Sequence, residues 1–263
     1  MNRHLLLAGL LCAAALAACD KNAVQQLPTA PPLGARIKFF NFGVNAPAVN
    51  FYANGAKMTA ILSSTGTEST NGVSYGSVGN GGLYSSIAPG QYALTGRIAA
   101  ATNKDLPIAT ISTTIADGKY YSFYMSGSYD ATAQTVDGFV VEDPFATAVA
   151  PIDYSVANVR FIHAIGNANP MTLYARLTGD TVTAHLVAVG GEVAYKGAGA
   201  FTGLPAGVYD LGTRYTGSTT NAISAAAVSF VGGRVYTIGA RGDITVTSTT
   251  ATSRPFLDNA ANR

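Results

Sequence analysis

The sequence predicts an all-β protein made of two tandem β-sandwich domains. Three observations carry that prediction. First, segments recur in the same order along the chain: ARIKFFNF at 35–42 and ANVRFIHA at 157–164, VNFYANG at 49–55 and MTLYARLTG at 171–179, SIAPGQYAL at 86–94 and GLPAGVYDL at 203–211, ADGKYYSFYMSG at 116–127 and VGGRVYTIGARG at 231–242, DPF at 143–145 and RPF at 254–256. The offset drifts only from 122 to 111 residues. This means two copies of one domain, at 35–145 and 157–258, because a solenoid repeats every 20–50 residues or so. Second, the recurring runs alternate like strands and end at Gly, Pro or Asn. Third, helical periodicity is weak after residue 20. ISAAAVSF could be helical alone, but its partner IATISTTI is rich in β-branched residues, which favour strands.

The first element is Met1–Ala18. A positive start (Arg3), an apolar run from Leu5 to Ala18 and small residues at its end are the marks of a secretory signal. The run is too short to span a bilayer comfortably. The only two cysteines, Cys12 and Cys19, lie in or just after it. Leu16-Ala17-Ala18-Cys19 resembles the lipobox of bacterial lipoproteins. That resemblance implies acylation of the Cys19 thiol, cleavage before Cys19, and further acylation (palmitate-type chains) of the new amine. Each buried methylene contributes about 0.8 kcal/mol, and two or three chains make a lasting anchor. The expected address is the bacterial cell envelope, on the outer membrane or the periplasmic face of the inner one, with the membrane as a partner through Cys19. Residues 19–34 follow as lipidated N-terminus and tether, in which Pro28, Pro31 and Pro32 favour extended chain.

Cleavage at Cys19 removes Arg3 alone among charged residues, leaving 15 Lys+Arg against 14 Asp+Glu. A near-neutral chain offers no electrostatic footprint for nucleic acid. Charged residues are 11%, against about 25% on average, so Ser, Thr, Asn, Gly and Ala must cover the surface. A lipidated Cys19 leaves no free thiol for a disulfide, a Cys-ligated metal or a nucleophile.

Within the first copy, RIKFFNF places Ile37, Phe39 and Asn41 on one face and Lys38, Phe40 and Phe42 on the other. Asn54-Gly55 predicts a hairpin. Asp117-Gly118 and Gly232-Gly233 each separate two strand-like runs, the second read as a GGRVYTI hairpin. Pro89-Gly90 and Pro205-Ala206-Gly207 precede strands, and Tyr92 and Tyr209 are placed to pin those turns as tyrosine corners do. VRFIHA (159–164), LPAGVYDL and GGRVYTI resemble the bacterial envelope family called domain of unknown function 4397, with Asn41 in the first copy where the second has His163. The resemblance implies an extracytoplasmic, β-rich fold and no accepted activity. The sandwiches are expected to be immunoglobulin-like or prealbumin-like.

For chemistry, Gly72-Val73-Ser74-Tyr75-Gly76 fits G-x-S-x-G, but a nucleophile elbow opens a helix, and the next residues, Ser77-Val78-Gly79-Asn80-Gly81-Gly82, are rich in glycine. Gly72–Gly82 reads as a mobile surface loop. The trio Ser74, Asp153 and His163 is expected not to assemble, nor is one with His185. No zinc spacing links His163 and His185, and Glu142 and Asp143 make no glycosidase pair. GSVGNGG lacks the Lys-Ser/Thr of a P-loop. Catalytic, cofactor and metal residues are therefore none, with Cys19 as the lipidation site. The expected function is a non-enzymatic envelope module, with an envelope protein or a glycan as partner. One alternative is a glycan or small-ligand module using surface tyrosines such as Tyr75 and Tyr84. Another is a serine hydrolase using Ser74.

Overall fold

A computed structural model describes residues 34–60, 71–144 and 152–262. The signal, Cys12, Cys19 and the tether up to residue 33 lie outside the described residues, as does most of the segment joining the copies. From Gly34 onward the chain forms one compact unit, and it is all-β. The first repeat contributes β1 (Ala35–Asn41), β2 (Val49–Ala53), β3 (Ala56–Lys57), β4 (Ser77–Val78), β5 (Ser85–Ile87), β6 (Gly90–Ile98), β7 (Pro107–Ile115), β8 (Tyr120–Asp130) and β9 (Thr135–Glu142). The second contributes β10 (Val156–His163), β11 (Met171–Leu177), β12 (Val187–Val193), β13 (Thr202–Pro205), β14 (Gly207–Tyr215), β15 (Ile223–Phe230), β16 (Val235–Arg241) and β17 (Phe256–Ala261). ISAAAVSF is thus strand β15.

Each repeat is a sandwich of two sheets in the same strand order. One sheet runs β5–β1–β8–β9 in the first repeat and β13–β10–β16–β17 in the second, with β4 sharing the β5 edge of β1. The other runs β3–β2–β6–β7 and β12–β11–β14–β15. Pairs are antiparallel except β1 with β8 and β10 with β16. An immunoglobulin sandwich groups its strands differently, in purely antiparallel sheets, and the parallel pairs set this order apart from it.

Asn54 and Gly55 both take positive φ, 47° and 83°, as a type I′ turn requires, and β2 and β3 pair across them. Two readings need correction. Gly232-Gly233 does not close a hairpin, and neither does Asp117-Gly118, because β15 and β16, like β7 and β8, belong to different sheets. These turns carry the chain across the sandwich. Each is tied by a tyrosine three residues beyond it: Ala116 N–H donates to the Tyr121 hydroxyl and Val231 N–H to the Tyr236 hydroxyl, both at 3.1 Å. The DPF/RPF match is also not a structural one. Residues 143–145 follow β9, whereas 254–256 lead into β17, because the loop before β17 is far longer than the turn between β8 and β9. The residue equivalent to Asp143 is Asn262, just after β17.

The apolar faces fill three clusters. Ile37, Phe39, Phe51, Leu94, Phe123 and neighbours fill the first sandwich, and Val159, Phe161, Leu173, Leu211, Ile238 and neighbours fill the second. The third joins Phe40, Phe42, Tyr124 and Phe139 of the first repeat to Ile162 and Ala164 of the second. The β1 sheet and the β10 sheet therefore pack face to face, and the four sheets stack as four layers. That is why RIKFFNF carries large apolar residues on both faces: Ile37 and Phe39 point into their own sandwich, Phe40 and Phe42 into the other repeat. Phe40 and Phe139 stack on opposite sides of Tyr124 with ring centroids at 4.5 and 5.1 Å. Where the first repeat has Tyr124 the second has Gly239, and a Cβ there would lie 2.9 Å from the Phe42 ring.

Candidate functional site

The sequence-derived candidates are not brought together. Ser74 is exposed, with its hydroxyl 3.2 Å from that of Ser77. It borders a cavity of about 430 Å³ whose described lining, Thr59, Val73, Ser74, Ser77, Gly79 and Asn80 among others, is neutral. The segment is also not the free loop expected. Ser77 and Val78 form β4 on the edge of β1, and the turn at Gly79–Gly82 is pinned by Asn80 Nδ2, which donates to Met58 O at 2.9 Å and Ser85 Oγ at 2.7 Å.

His163 is fully buried and engaged locally. Ile165 N–H donates to its Nδ1 at 3.2 Å, and its Nε2 lies 3.1 Å from Asn169 O. That pattern fits a neutral ring with the proton on Nε2, and burial lowers its pKa. Asn41 does the same job in the first repeat. Gly43 N–H donates to Asn41 Oδ1 at 3.3 Å, and Asn41 Nδ2 donates to Pro47 O at 3.3 Å and Val73 O at 2.9 Å. In each repeat the side chain bonds the N–H two residues on and a carbonyl six residues on, latching the loop that follows the first strand. His185 is exposed, with Nδ1 2.6 Å from Asp180 Oδ2. Asp153 caps its own turn through Ser155.

The two tyrosines expected at the surface are half-buried instead. Tyr84 donates its hydroxyl to Asp143 Oδ2 at 2.7 Å and packs edge-on against Tyr120. Burial beside Asp143 pushes its pKa well up. Tyr75 lies under the Arg241 guanidinium at 4.8 Å, and Arg241 is ion-paired with Asp258. Both rings are thus covered by the chain's own cations and aromatics. Of the two tyrosine corners, Tyr209 donates to Pro205 O at 2.8 Å. Tyr92 makes no such bond to a described residue.

The most elaborate polar site lies between the repeats. Its central cations are Lys38 on β1 and Arg160 on β10, which are repeat equivalents and are 2% and 1% exposed. Each lies over an aromatic ring of its own repeat, Lys38 over Tyr84 at 4.4 Å and Arg160 over Phe201 at 5.1 Å. Each then reaches into the other repeat, to the end of its last strand. Lys38 Nζ donates to Ala261 O at 2.7 Å and Asn262 Oδ1 at 3.2 Å. Arg160 donates to Glu142 O at 2.9 Å and ion-pairs with Asp143, which is also buried.

The second layer repeats as well. Ser122 Oγ donates to Asp143 Oδ2 at 2.8 Å, and Asn262 Nδ2 donates to Thr237 Oγ1, its counterpart, at 2.7 Å. The result is a reciprocal clasp with approximate twofold symmetry. Its two halves differ in charge, because Arg160 meets a carboxylate and Lys38 a neutral amide. Burial accordingly lowers the Lys38 pKa from 10.5 to about 8, with Asp143 opposing the shift. At the rim, the Tyr195 hydroxyl lies 3.0 Å from Ser126 Oγ, and Lys196 pairs with Asp137 at 2.5 Å. Burial pushes the Tyr195 pKa up to about 12.

Sequence reading missed this site, although a signal was present: a lysine and an arginine at equivalent positions of two strands, each flanked on both sides by apolar residues. Among the described residues, no three His, Cys, Asp or Glu are grouped to hold a metal, and no helix is long and apolar enough to cross a membrane. No protein-family model and no curated protein matches the chain.

Proposed function

We propose that this chain is a bacterial envelope lipoprotein, held to a membrane through acyl chains on Cys19, that serves as a non-enzymatic binding or structural module. The lipobox-like Leu16–Cys19 supports the anchor. The observation that carries the non-enzymatic reading is where the buried ionisable groups go. Lys38, Arg160, Asp143 and His163 hold strands and loops together, and none lines the cavity beside Ser74. A general base must come within about 3 Å of the group it activates, and among the described residues the neighbour that the Ser74 hydroxyl meets is another neutral hydroxyl, that of Ser77. The module would act as one rigid body, because the clasp and the aromatic cluster fix one repeat against the other.

Metabolic labelling with a fatty acid tests the anchor: label should enter the native chain and be lost in Cys19→Ser. Equal label in both would refute it. A fluorophosphonate probe tests the other half, since rapid stoichiometric labelling of Ser74 would make the protein a serine hydrolase.

A further inference from the structure

Edge strands present unpaired N–H and C=O groups, and proteins blunt them with charges, prolines or bulges. The two repeats treat one edge differently. In the second repeat the edge strand β15 is broken in mid-course. Its register with β14 shifts between Tyr209 and Leu211, Ala227 takes φ 55°, and Asp210 Oδ1 accepts the Ala227 N–H at 3.0 Å. The equivalent strand β7 has no such device in its central stretch. Residues 109–115 pair with β6 in unbroken register, the one shift lying at the Pro107 end. No charged residue occurs from Pro107 to Ala116. Among the described residues nothing pairs with its outer edge.

The chemistry of β7 suits its own copy. Thr110, Ser112 and Thr114 are exposed on one face and Ala109 and Ile115 are buried on the other. In an antiparallel pair centred on Ser112, Thr110 of each chain would stand opposite Thr114 of its mate. Such Ser/Thr pairs are favourable across strands.

We propose that the outer edge of β7 is a self-association site at which a second copy of this chain adds its own β7, antiparallel and centred on Ser112. The two β3–β2–β6–β7 sheets then become one continuous sheet. The β15 edge, kinked at Ala227, takes no part.

The test uses the full chain with Cys12→Ser and Cys19→Ser, so that acyl chains and micelles contribute no association. Sedimentation should report a dimer in the micromolar range. Thr110→Lys with Thr114→Lys sets like charges opposite each other at solvent-facing positions, and should return a monomer with an unchanged circular dichroism spectrum. Ser112→Cys is the only thiol in that background, and mild oxidation should join two chains through it. Ser229→Cys on β15 should give no link under the same conditions. A chain that stays monomeric, a dimer that survives the double lysine change, or equal cross-linking at both edges would overturn the proposal. If the lysine variant loses its fold, the position of the cross-link decides.

Discussion

Arg160→Met isolates the ionic half of the clasp. The substitution keeps most of the apolar stem and removes the guanidinium, which lies over the Phe201 ring. Three polar interactions go with that ring contact: the ion pair with Asp143, the bond to Glu142 O at 2.9 Å and the bond to Thr237 Oγ1 at 3.1 Å. Asp143 is 2% exposed, so its carboxylate would lose a buried partner. Breaking a buried pair from one side costs about 3–5 kcal/mol. For a unit of this size each kcal/mol lowers Tm by about 2–4 °C, so a drop of roughly 6–20 °C is expected. Adding Asp143→Leu should recover part of that loss, because the stranded carboxylate goes too. Lys38→Met is the internal control. It occupies the equivalent position, but its direct partners are a carbonyl and an amide, and removing it leaves Arg160 and Asp143 as a neutral pair. It should cost less than Arg160→Met. Urea and thermal unfolding of the native chain and the three variants measure all of this. A loss below about 1 kcal/mol for Arg160→Met, or equal losses at positions 38 and 160, would show that the clasp does not hold the repeats as described.

The remaining predictions concern pH and the repeated latches. Lys38 binds its proton less readily when folded, so between about pH 8 and 10.4 the unfolded chain holds more protons and stability should rise with pH. Denaturant melts across that window should show the rise in the native chain and not in Lys38→Met. His163 is likewise held neutral by burial, so stability should fall as pH drops below about 6.5, the unfolded value. His163→Asn, which copies the first repeat, should remove that acid dependence, while His163→Ala leaves the Ile165 N–H and Asn169 O unpaired at a cost of about 1–3 kcal/mol. Tyr121→Phe and Tyr236→Phe each delete one turn-pinning bond and should each cost about 0.5–1.5 kcal/mol in chemical denaturation; a neutral result in both would mean the crossing turns hold without them.

The repeat, the all-β class, the Asn54-Gly55 hairpin and the Tyr209 corner were all legible before the chain was folded. Each is written in a few consecutive residues, through side-chain alternation, a turn that needs positive φ, or a tyrosine beside a proline. Even the equivalence of Asn41 and His163 was legible, because both follow the same strand pattern. Which faces meet is set by the folded arrangement. A strand apolar on both sides says that both are covered, but not by what, and Phe40 and Phe42 find their cover in a second domain. Lys38 and Ala261 stand 223 positions apart, so no local rule links them. The parallel pairing of β1 with β8 turned the glycine turns at 117–118 and 232–233 from hairpins into crossings between sheets. The clasp then comes from geometry: two copies of one sheet, set face to face, bring each buried cation to the end of the other's last strand, where a carbonyl and a polar side chain are waiting for a donor.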